Sequence, residues 1–213
     1  MPARFELNGV FLSGPTYKVG LMLALAGEPF DYVHVNLMAG EHKQPAYLAR
    51  QRYGQVPLLV DRNNGRHLCQ SAAILEYLAD TLGRFGGATL DERLEAREWL
   101  YWDFDRLAPS IYRSRGIRAG FFKGGEETLE LCATNAALAL KTLDRHLSGR
   151  NWIVGENATI ADIDIYGVLV YAADAAVDLA PYANVSAWKG RFEAMPGFRR
   201  LADLLPPQSR AAA

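Results

Sequence analysis

The pattern of hydrophobic and polar positions divides the chain into two parts with different secondary structure. In the first 83 residues, short runs with strand character alternate with stretches whose apolar residues recur at helical spacing. The predicted strands cover 4–7, 31–35, 57–60 and 67–69, and the predicted helices cover 15–26, 44–50 and 70–82. Asn64-Gly65, between the third and fourth strands, is a strong hairpin signal. The order βαβαββα predicts an α/β domain.

From residue 90 onward the periodicity is helical, and no segment has convincing strand character. A long amphipathic helix is predicted over 90–118, and a second one ends at Leu147. Further helices are predicted over 160–173, 185–194 and 198–204. The sequence therefore predicts a first domain over 1–83, a glycine-rich linker over 84–89, an all-helical domain over 90–205 and a frayed tail over 206–213.

Composition narrows the classes of function. Half of the 213 residues are hydrophobic, so a sizeable core can form. The formal net charge is −1, and without a basic stripe we expect no dedicated nucleic-acid binding. No apolar run reaches 18 residues, and the first residues lack the apolar core of a signal peptide, so we expect no membrane segment. Only Cys69 and Cys132 are present, which favours a reduced, cytoplasmic setting. Four scattered histidines show no metal-ligand spacing.

Two neighbouring motifs carry the candidate chemistry. Gly54-Gln55-Val56-Pro57 predicts a strand that begins at a proline, which has no N–H of its own. Thirteen residues after Pro57, Gln70-Ser71 begins a helix, and Ser71 is predicted to be its N-cap. The first N–H groups of a helix are unpaired and favour an anion. This arrangement suits a small peptide that carries carboxylates.

A third motif concerns the fold alone. In the segment 157–163, Thr159 and Asp162 have the spacing of a capping box, in which side chains and backbone N–H groups bond reciprocally. We therefore expect a helix to begin at Ile160.

Together, these motifs resemble those of the cytosolic glutathione S-transferase superfamily, and within it the bacterial, serine-type, theta- and phi-like members. The resemblance covers nearly the whole chain and implies a thioredoxin-like N-terminal domain followed by a helical bundle. It implies a cis bond before Pro57 and a Val56 backbone that pairs with glutathione. The residues implied to bind glutathione are His42, Lys43, Gln55, Val56, Pro57, Gln70 and Ser71. Many relatives have Asn-Pro where this chain has Gln51-Arg52.

The resemblance places a catalytic hydroxyl at Ser13, just before the first helix. A thiol with a pKa of about 8.5 is only a few per cent thiolate near neutral pH. One hydrogen bond to the charged sulfur contributes roughly 1.5–3 kcal/mol, which is about one to two pKa units. Thr16 and Tyr17 are alternatives to Ser13, and the loop contains no cysteine.

The implied activity is attack of the glutathione thiolate on a small electrophile or a peroxide. The electrophile pocket is expected between the two domains, at Phe11, Leu12, Tyr101, Trp102, Asp105 and Tyr112. The family also implies a homodimer, with the small domain of one subunit against the helical domain of the other. Two alternatives stay open: a non-catalytic glutathione-binding scaffold, and a glutathione-dependent lyase, dehalogenase or disulfide reductase. Glutathione is the expected co-substrate, and no metal is expected.

Overall fold

The computed structural model describes residues 2–205 and contains two compact units. The first unit consists of residues 2–84 together with residues 195–205, and the second is Phe85–Ala194. The predicted tail over 206–213 lies outside the described residues.

The first unit contains a four-stranded mixed sheet. Its elements are β1 (Phe5–Gly9), α1 (Gly14–Ala26), β2 (Phe30–His34), α2 (Pro45–Leu48), β3 (Leu58–Asp61), β4 (Arg66–Cys69) and α3 (Ser71–Leu82). The strand order is β2-β1-β3-β4, with β1 and β2 parallel and the other two pairs antiparallel. The predicted thioredoxin-like order βαβαββα is confirmed, with a 3₁₀ turn at Glu41–Lys43 added before α2.

One face of this sheet packs against α1 and α3, because its inward positions are apolar. Phe5 and Leu7 alternate along β1 and are fully buried, as are Leu59 on β3 and Ile74 on α3. The other face carries Glu6, which accepts hydrogen bonds from Asn8, Arg50 and Arg62. Burial raises the pKa of Glu6, but these three donors outweigh it and lower the pKa below its usual value.

The second unit is helical. It contains α4 (Leu90–Trp102), α5 (Ala108–Arg118), α6 (Glu126–His146), α7 (Ile160–Leu169) and α8 (Ala183–Glu193). The helix predicted over 90–118 is interrupted by a π-helical segment at Asp103–Leu107. Pro109 follows in the first turn of α5, and a proline cannot donate to the carbonyl four residues earlier. α7 also ends four residues before the predicted position.

The last helix, α9 (Leu201–Leu204), belongs to the first unit, whereas the sequence placed its residues in the helical domain. The Tyr17 hydroxyl on α1 donates to the Arg199 carbonyl at 2.8 Å. Leu204 lies against Gly20, where an added Cβ would meet its side chain at 3.2 Å. These long-range contacts hold residues 195–205 against α1.

The predicted capping box at α7 is confirmed. Thr159 is the N-cap, and its backbone N–H donates to Asp162 at 2.8 Å. Asp162 also accepts from the Ile153 N–H at 3.0 Å and from the Trp188 indole at 2.8 Å. The box therefore ties α7 to the preceding loop and to α8.

Within residues 2–205, no helix is both long and apolar enough to cross a membrane.

Candidate functional site

Three segments of the first unit meet at one end of the sheet. Asn8 near the end of β1 pairs with Leu58, the first residue of β3. Leu58 in turn pairs with Cys69, the last residue of β4. This end of the sheet therefore holds the loop that follows β1, the Val56–Pro57 bond and the start of α3. We call this end, where strand termini meet, the site edge. It brings together segments that are far apart in the sequence.

The Val56–Pro57 peptide bond is cis, as predicted. Val56 is partly exposed and precedes β3. Among residues 2–205, no group forms a hydrogen bond with the N–H or the C=O of Val56. Both backbone groups are thus available to a ligand.

The start of α3 differs from the prediction in one respect. Gln70 is the N-cap and Ser71 is the first helical residue, so the prediction that Ser71 caps the helix was wrong. Gln70 has a φ of 68°, an unfavourable value for a residue with a side chain, and its side chain does not cap the helix. The Ser71 hydroxyl is buried and has no hydrogen-bond partner among residues 2–205. Backbone strain and an unsatisfied hydroxyl at a helix start are features typical of a binding site.

Side-chain hydrogen bonds join Lys43 and Gln70 to the loop that precedes Val56. Lys43 Nζ donates to the Gly54 carbonyl at 2.8 Å, and Gln70 Nε2 donates to Gln55 Oε1 at 3.2 Å. A lysine ammonium has three donors, so two remain for another acceptor. His42 lies in the same 3₁₀ turn, and its Nδ1 is buried without a partner in the described part of the chain.

Two residues at this edge were missed from the sequence. The Tyr47 hydroxyl donates to the Gln55 carbonyl at 2.8 Å, and Gln51 Oε1 accepts from the Tyr53 N–H at 2.8 Å. Burial is the main cause that raises the pKa of Tyr47 to about 12, so its phenol stays a donor at physiological pH. The helical spacing of four residues between Tyr47 and Gln51 was the available signal.

Ser13, Thr16 and Tyr17 differ sharply in accessibility. Ser13 is half-buried, and its Oγ accepts from the Thr16 N–H at 3.2 Å as the N-cap of α1. Thr16 is fully buried, and Tyr17 is fully buried with its hydroxyl donating to Arg199. Of the three side chains, only that of Ser13 reaches the surface.

Cys69 lies next to Gln70, and burial raises the pKa of its thiol. A thiol with a raised pKa forms little thiolate near neutral pH, which argues against a reactive cysteine here. Within residues 2–205, no group of three or more His, Cys, Asp or Glu side chains is arranged to hold a metal ion.

The residues predicted for the electrophile pocket occupy varied environments. Phe11 and Leu12 are half-buried in the loop after β1. Tyr101 on α4 is 66% exposed, and Asp105 is exposed and pairs with Arg106. The remaining two predicted residues are partly buried by neighbouring aromatic rings: Trp102 packs edge-on against Trp99, and Tyr112 packs against Tyr171. Their role in a pocket stays a prediction.

Comparison with known proteins identifies the family. The model of the glutathione S-transferase N-terminal domain matches residues 10–80, and that of the C-terminal domain matches residues 109–196. Glutathione S-transferase GST-4.5 of Xanthomonas campestris is 34% identical over 167 residues, which cover 75% of this chain and 79% of the relative. Disulfide-bond oxidoreductase YfcG of Escherichia coli is 26% identical over 185 residues, which cover 84% and 86%.

A solved structure shows the same architecture. The crystal structure of a glutathione S-transferase from Pseudomonas fluorescens superposes with a TM-score of 0.89, at 28% identity, over 94% of this chain and 100% of that chain. The fold, the cis-proline edge and both domain matches lead to one conclusion: this chain belongs to the cytosolic glutathione S-transferase superfamily.

Proposed function

We propose that the protein is a glutathione S-transferase in which Ser13 stabilises the glutathione thiolate for attack on a small electrophile. The observation that carries this proposal is the composition of the site edge. It combines the unpaired Val56 backbone, the start of α3 and a partly exposed hydroxyl at Ser13. Glutathione is an extended peptide with carboxylates at both ends and a thiol between them, so it needs these three features.

The cysteinyl backbone and the two carboxylates of glutathione each have a matching group in this unit. The Val56 N–H and C=O bind the cysteinyl backbone of glutathione in an antiparallel pairing. The γ-glutamyl carboxylate binds at Gln70 and Ser71, where the first N–H groups of α3 and the helix dipole favour an anion. The glycyl carboxylate lies near His42 and Lys43, where a cationic donor makes a strong hydrogen bond.

Capping and thiolate stabilisation by Ser13 are compatible. Its Oγ uses a lone pair to accept from the Thr16 N–H, and the hydroxyl proton remains free to donate. Donation to sulfur favours the thiolate over the thiol, so the thiol proton leaves to solvent more readily. The thiolate then forms a bond to the electrophilic carbon as the leaving group departs.

A paired experiment tests this proposal. Retention on immobilised glutathione and conjugation of a chloronitrobenzene are measured for wild type, Ser13→Gly and Thr16→Val. Glycine removes the hydroxyl but costs an N-cap only a few tenths of a kcal/mol. We expect Ser13→Gly to bind glutathione and to lose roughly 10- to 100-fold in rate at neutral pH, with a raised pKa of the bound thiol.

Thr16→Val is the matched control, because it removes a buried, unpaired hydroxyl and keeps the N–H that Ser13 accepts from. We expect its rate to be unchanged. Turnover that is indifferent to Ser13→Gly would refute the role of Ser13. Wild type that neither binds nor conjugates would refute the proposal as a whole.

Glutathione-dependent disulfide reduction is a second candidate, because the relative named disulfide-bond oxidoreductase aligns over 84% of this chain. Cys69 has a raised thiol pKa, so glutathione itself would supply the attacking sulfur. One glutathione thiolate would attack the substrate disulfide, form a mixed disulfide and release one substrate thiolate. A second glutathione thiolate would attack the glutathione sulfur of the mixed disulfide, form oxidised glutathione and release the other substrate thiolate. Reduction of a model disulfide at a rate exceeding conjugation would favour this activity.

We also propose that the protein forms a homodimer through its helical unit. Leu90, Leu94 and Tyr101 on α4, and Leu131 and Leu138 on α6, are 51–66% exposed. Apolar side chains grouped on helix faces are typical of an interface between protein chains. Light scattering coupled to size exclusion tests the oligomeric state.

A further inference from the structure

The loop over residues 53–55, immediately before Val56, is held by side chains. Lys43 Nζ donates to the Gly54 carbonyl, and the Tyr47 hydroxyl donates to the Gln55 carbonyl, both at 2.8 Å. Gln51 Oε1 accepts from the Tyr53 N–H at 2.8 Å and from the Gln55 N–H at 3.3 Å. Lys43, Tyr47 and Gln51 are named the loop clamp here.

The spacing of the loop clamp follows from its backbone. Tyr47 and Gln51 are four residues apart on the helical path of α2, so their side chains lie on one side of it, whereas Lys43 ends the 3₁₀ turn before the extended Gln44. The Gln51 N–H donates to the Tyr47 carbonyl at 2.8 Å, so the helical path of α2 continues to the third member. Arg50 then anchors this segment to β1 through its 2.8 Å ion pair with Glu6. This ion pair thus joins the segment that carries Tyr47 and Gln51 to the sheet.

Burial makes the central contact costly to lose. Gln51 is 1% exposed, and its single carbonyl oxygen serves two backbone N–H groups. Removing a shared acceptor from such a site leaves both donors without a partner. Gly54 adds a backbone constraint, because its φ is 56° and an added Cβ would lie 3.1 Å from the His42 carbonyl oxygen.

We propose that the loop clamp is a positioning device that sets the affinity for glutathione by fixing the Val56 backbone. Val56 directly follows the held loop, and within residues 2–205 its own N–H and C=O have no hydrogen-bond partner. No hydrogen bond of their own therefore orients them within the described residues, and the conformation of the preceding loop helps to set their direction. This inference rests on the proposed binding of glutathione, but not on the role of Ser13.

The expected signature is a change in binding without a change in chemistry. If a clamp variant leaves the loop in its competent conformation about one tenth of the time, the apparent Kd for glutathione rises about tenfold. The rate constant of the fully bound enzyme stays near that of wild type, because Ser13 and its hydrogen bond with the Thr16 N–H are not altered. A general loss of stability would instead lower the amount of active protein and leave the Kd unchanged.

The experiment compares Gln51→Met with Gln51→Glu. Methionine has a similar length but no strong acceptor, whereas glutamate keeps an acceptor for both N–H groups. Isothermal calorimetry with glutathione is paired with kcat and KM for a chloronitrobenzene and with hydrogen exchange of the amides of Tyr53 and Gln55. We expect Gln51→Met to raise the Kd about tenfold, to keep kcat and to lose protection at both amides. We expect Gln51→Glu to have the Kd, the kcat and the amide protection of wild type.

Tyr47→Phe and Tyr77→Phe form a matched pair of variants. Each removes one hydroxyl from the first unit, but the Tyr77 hydroxyl bonds to Asp61 and Asn64, away from the loop. We expect only Tyr47→Phe to weaken glutathione binding. Equal affinities in wild type, Gln51→Met and Tyr47→Phe would overturn the inference and leave the proposed function standing. No binding by wild type would overturn both, whatever the exchange data show.

Discussion

The carboxylate of Asp162 is the most informative place to perturb the helical unit. It is fully buried, and each oxygen accepts two hydrogen bonds. Oδ1 accepts from Ile153 and Trp188, and Oδ2 accepts from the N–H and the hydroxyl of Thr159. Burial raises the pKa of Asp162 to about 6 despite these donors, so the group is ionised at neutral pH.

The substitution Asp162→Asn keeps the shape of the side chain and replaces one acceptor oxygen with an NH₂ group. Turned one way, the NH₂ group faces the Ile153 and Trp188 donors; turned the other way, it faces the Thr159 N–H, while the Thr159 hydroxyl can rotate to accept from it. The better orientation leaves one buried donor without an acceptor, which costs about 1–3 kcal/mol, so we expect a loss of about 2 kcal/mol in the free energy of unfolding. At about 2–4 °C for each kcal/mol in a chain of this length, the midpoint falls by about 4–8 °C.

Thermal unfolding followed by circular dichroism measures this loss, and denaturant unfolding with a constant slope checks that only stability has changed. Asp80→Asn is the control, because Asp80 is exposed on α3 and the substitution changes its charge equally. An unfolding midpoint of Asp162→Asn within about 2 °C of the Asp80→Asn control would refute the reasoning.

Three further predictions concern other parts of the chain. Burial raises the pKa of Asp61, but hydrogen bonds from Arg4 and Tyr77 outweigh burial and lower the pKa below its usual value. The ionised Asp61 carboxylate therefore contributes to stability at neutral pH, and this contribution is lost as the pH falls below about 4. The denaturation midpoint should therefore fall more steeply between pH 5 and pH 3 in wild type than in Arg4→Met, and parallel curves would contradict this. Tyr17→Phe removes the hydrogen bond to the Arg199 carbonyl and should lower stability by about 1 kcal/mol while the conjugation rate is kept; a lost rate at full stability would instead give Tyr17 a catalytic role. Leu138→Glu places a charge on an exposed apolar face of α6 and should convert the proposed dimer to a monomer in light scattering, whereas an unchanged mass would exclude this face from the interface.

Features encoded by neighbouring residues could be read from the sequence. The strands β1 to β4 and the helices α1 to α3 of the first unit follow from apolar periodicity and turn residues over windows of a few residues. The Thr159–Asp162 box was predictable because its partners are three residues apart. The cis bond at Val56–Pro57 came from a motif resemblance, which is also local in sequence.

Features that depend on distant contacts could not be read in this way. Ser13, Thr16 and Tyr17 have similar hydrogen-bonding groups in one short segment, and only packing shows that Thr16 and Tyr17 are buried. The affiliation of α9 with the first unit depends on its contacts with α1, nearly two hundred residues earlier in the chain.

The candidate site shows the same division. Its residue types were visible in the sequence, since cations, amides and a proline near a helix start suggest a carboxylate-bearing peptide. Which donor meets which acceptor was decided by the sheet register, which sets Asn8 beside Leu58 and Leu58 beside Cys69. Lys43, predicted to face a ligand, also supports the Gly54 carbonyl, and Gln51 emerged as a buried acceptor. Hydrogen bonds depend on distances of a few tenths of an ångström, and only the packed tertiary structure determines such distances between segments that are remote in the chain.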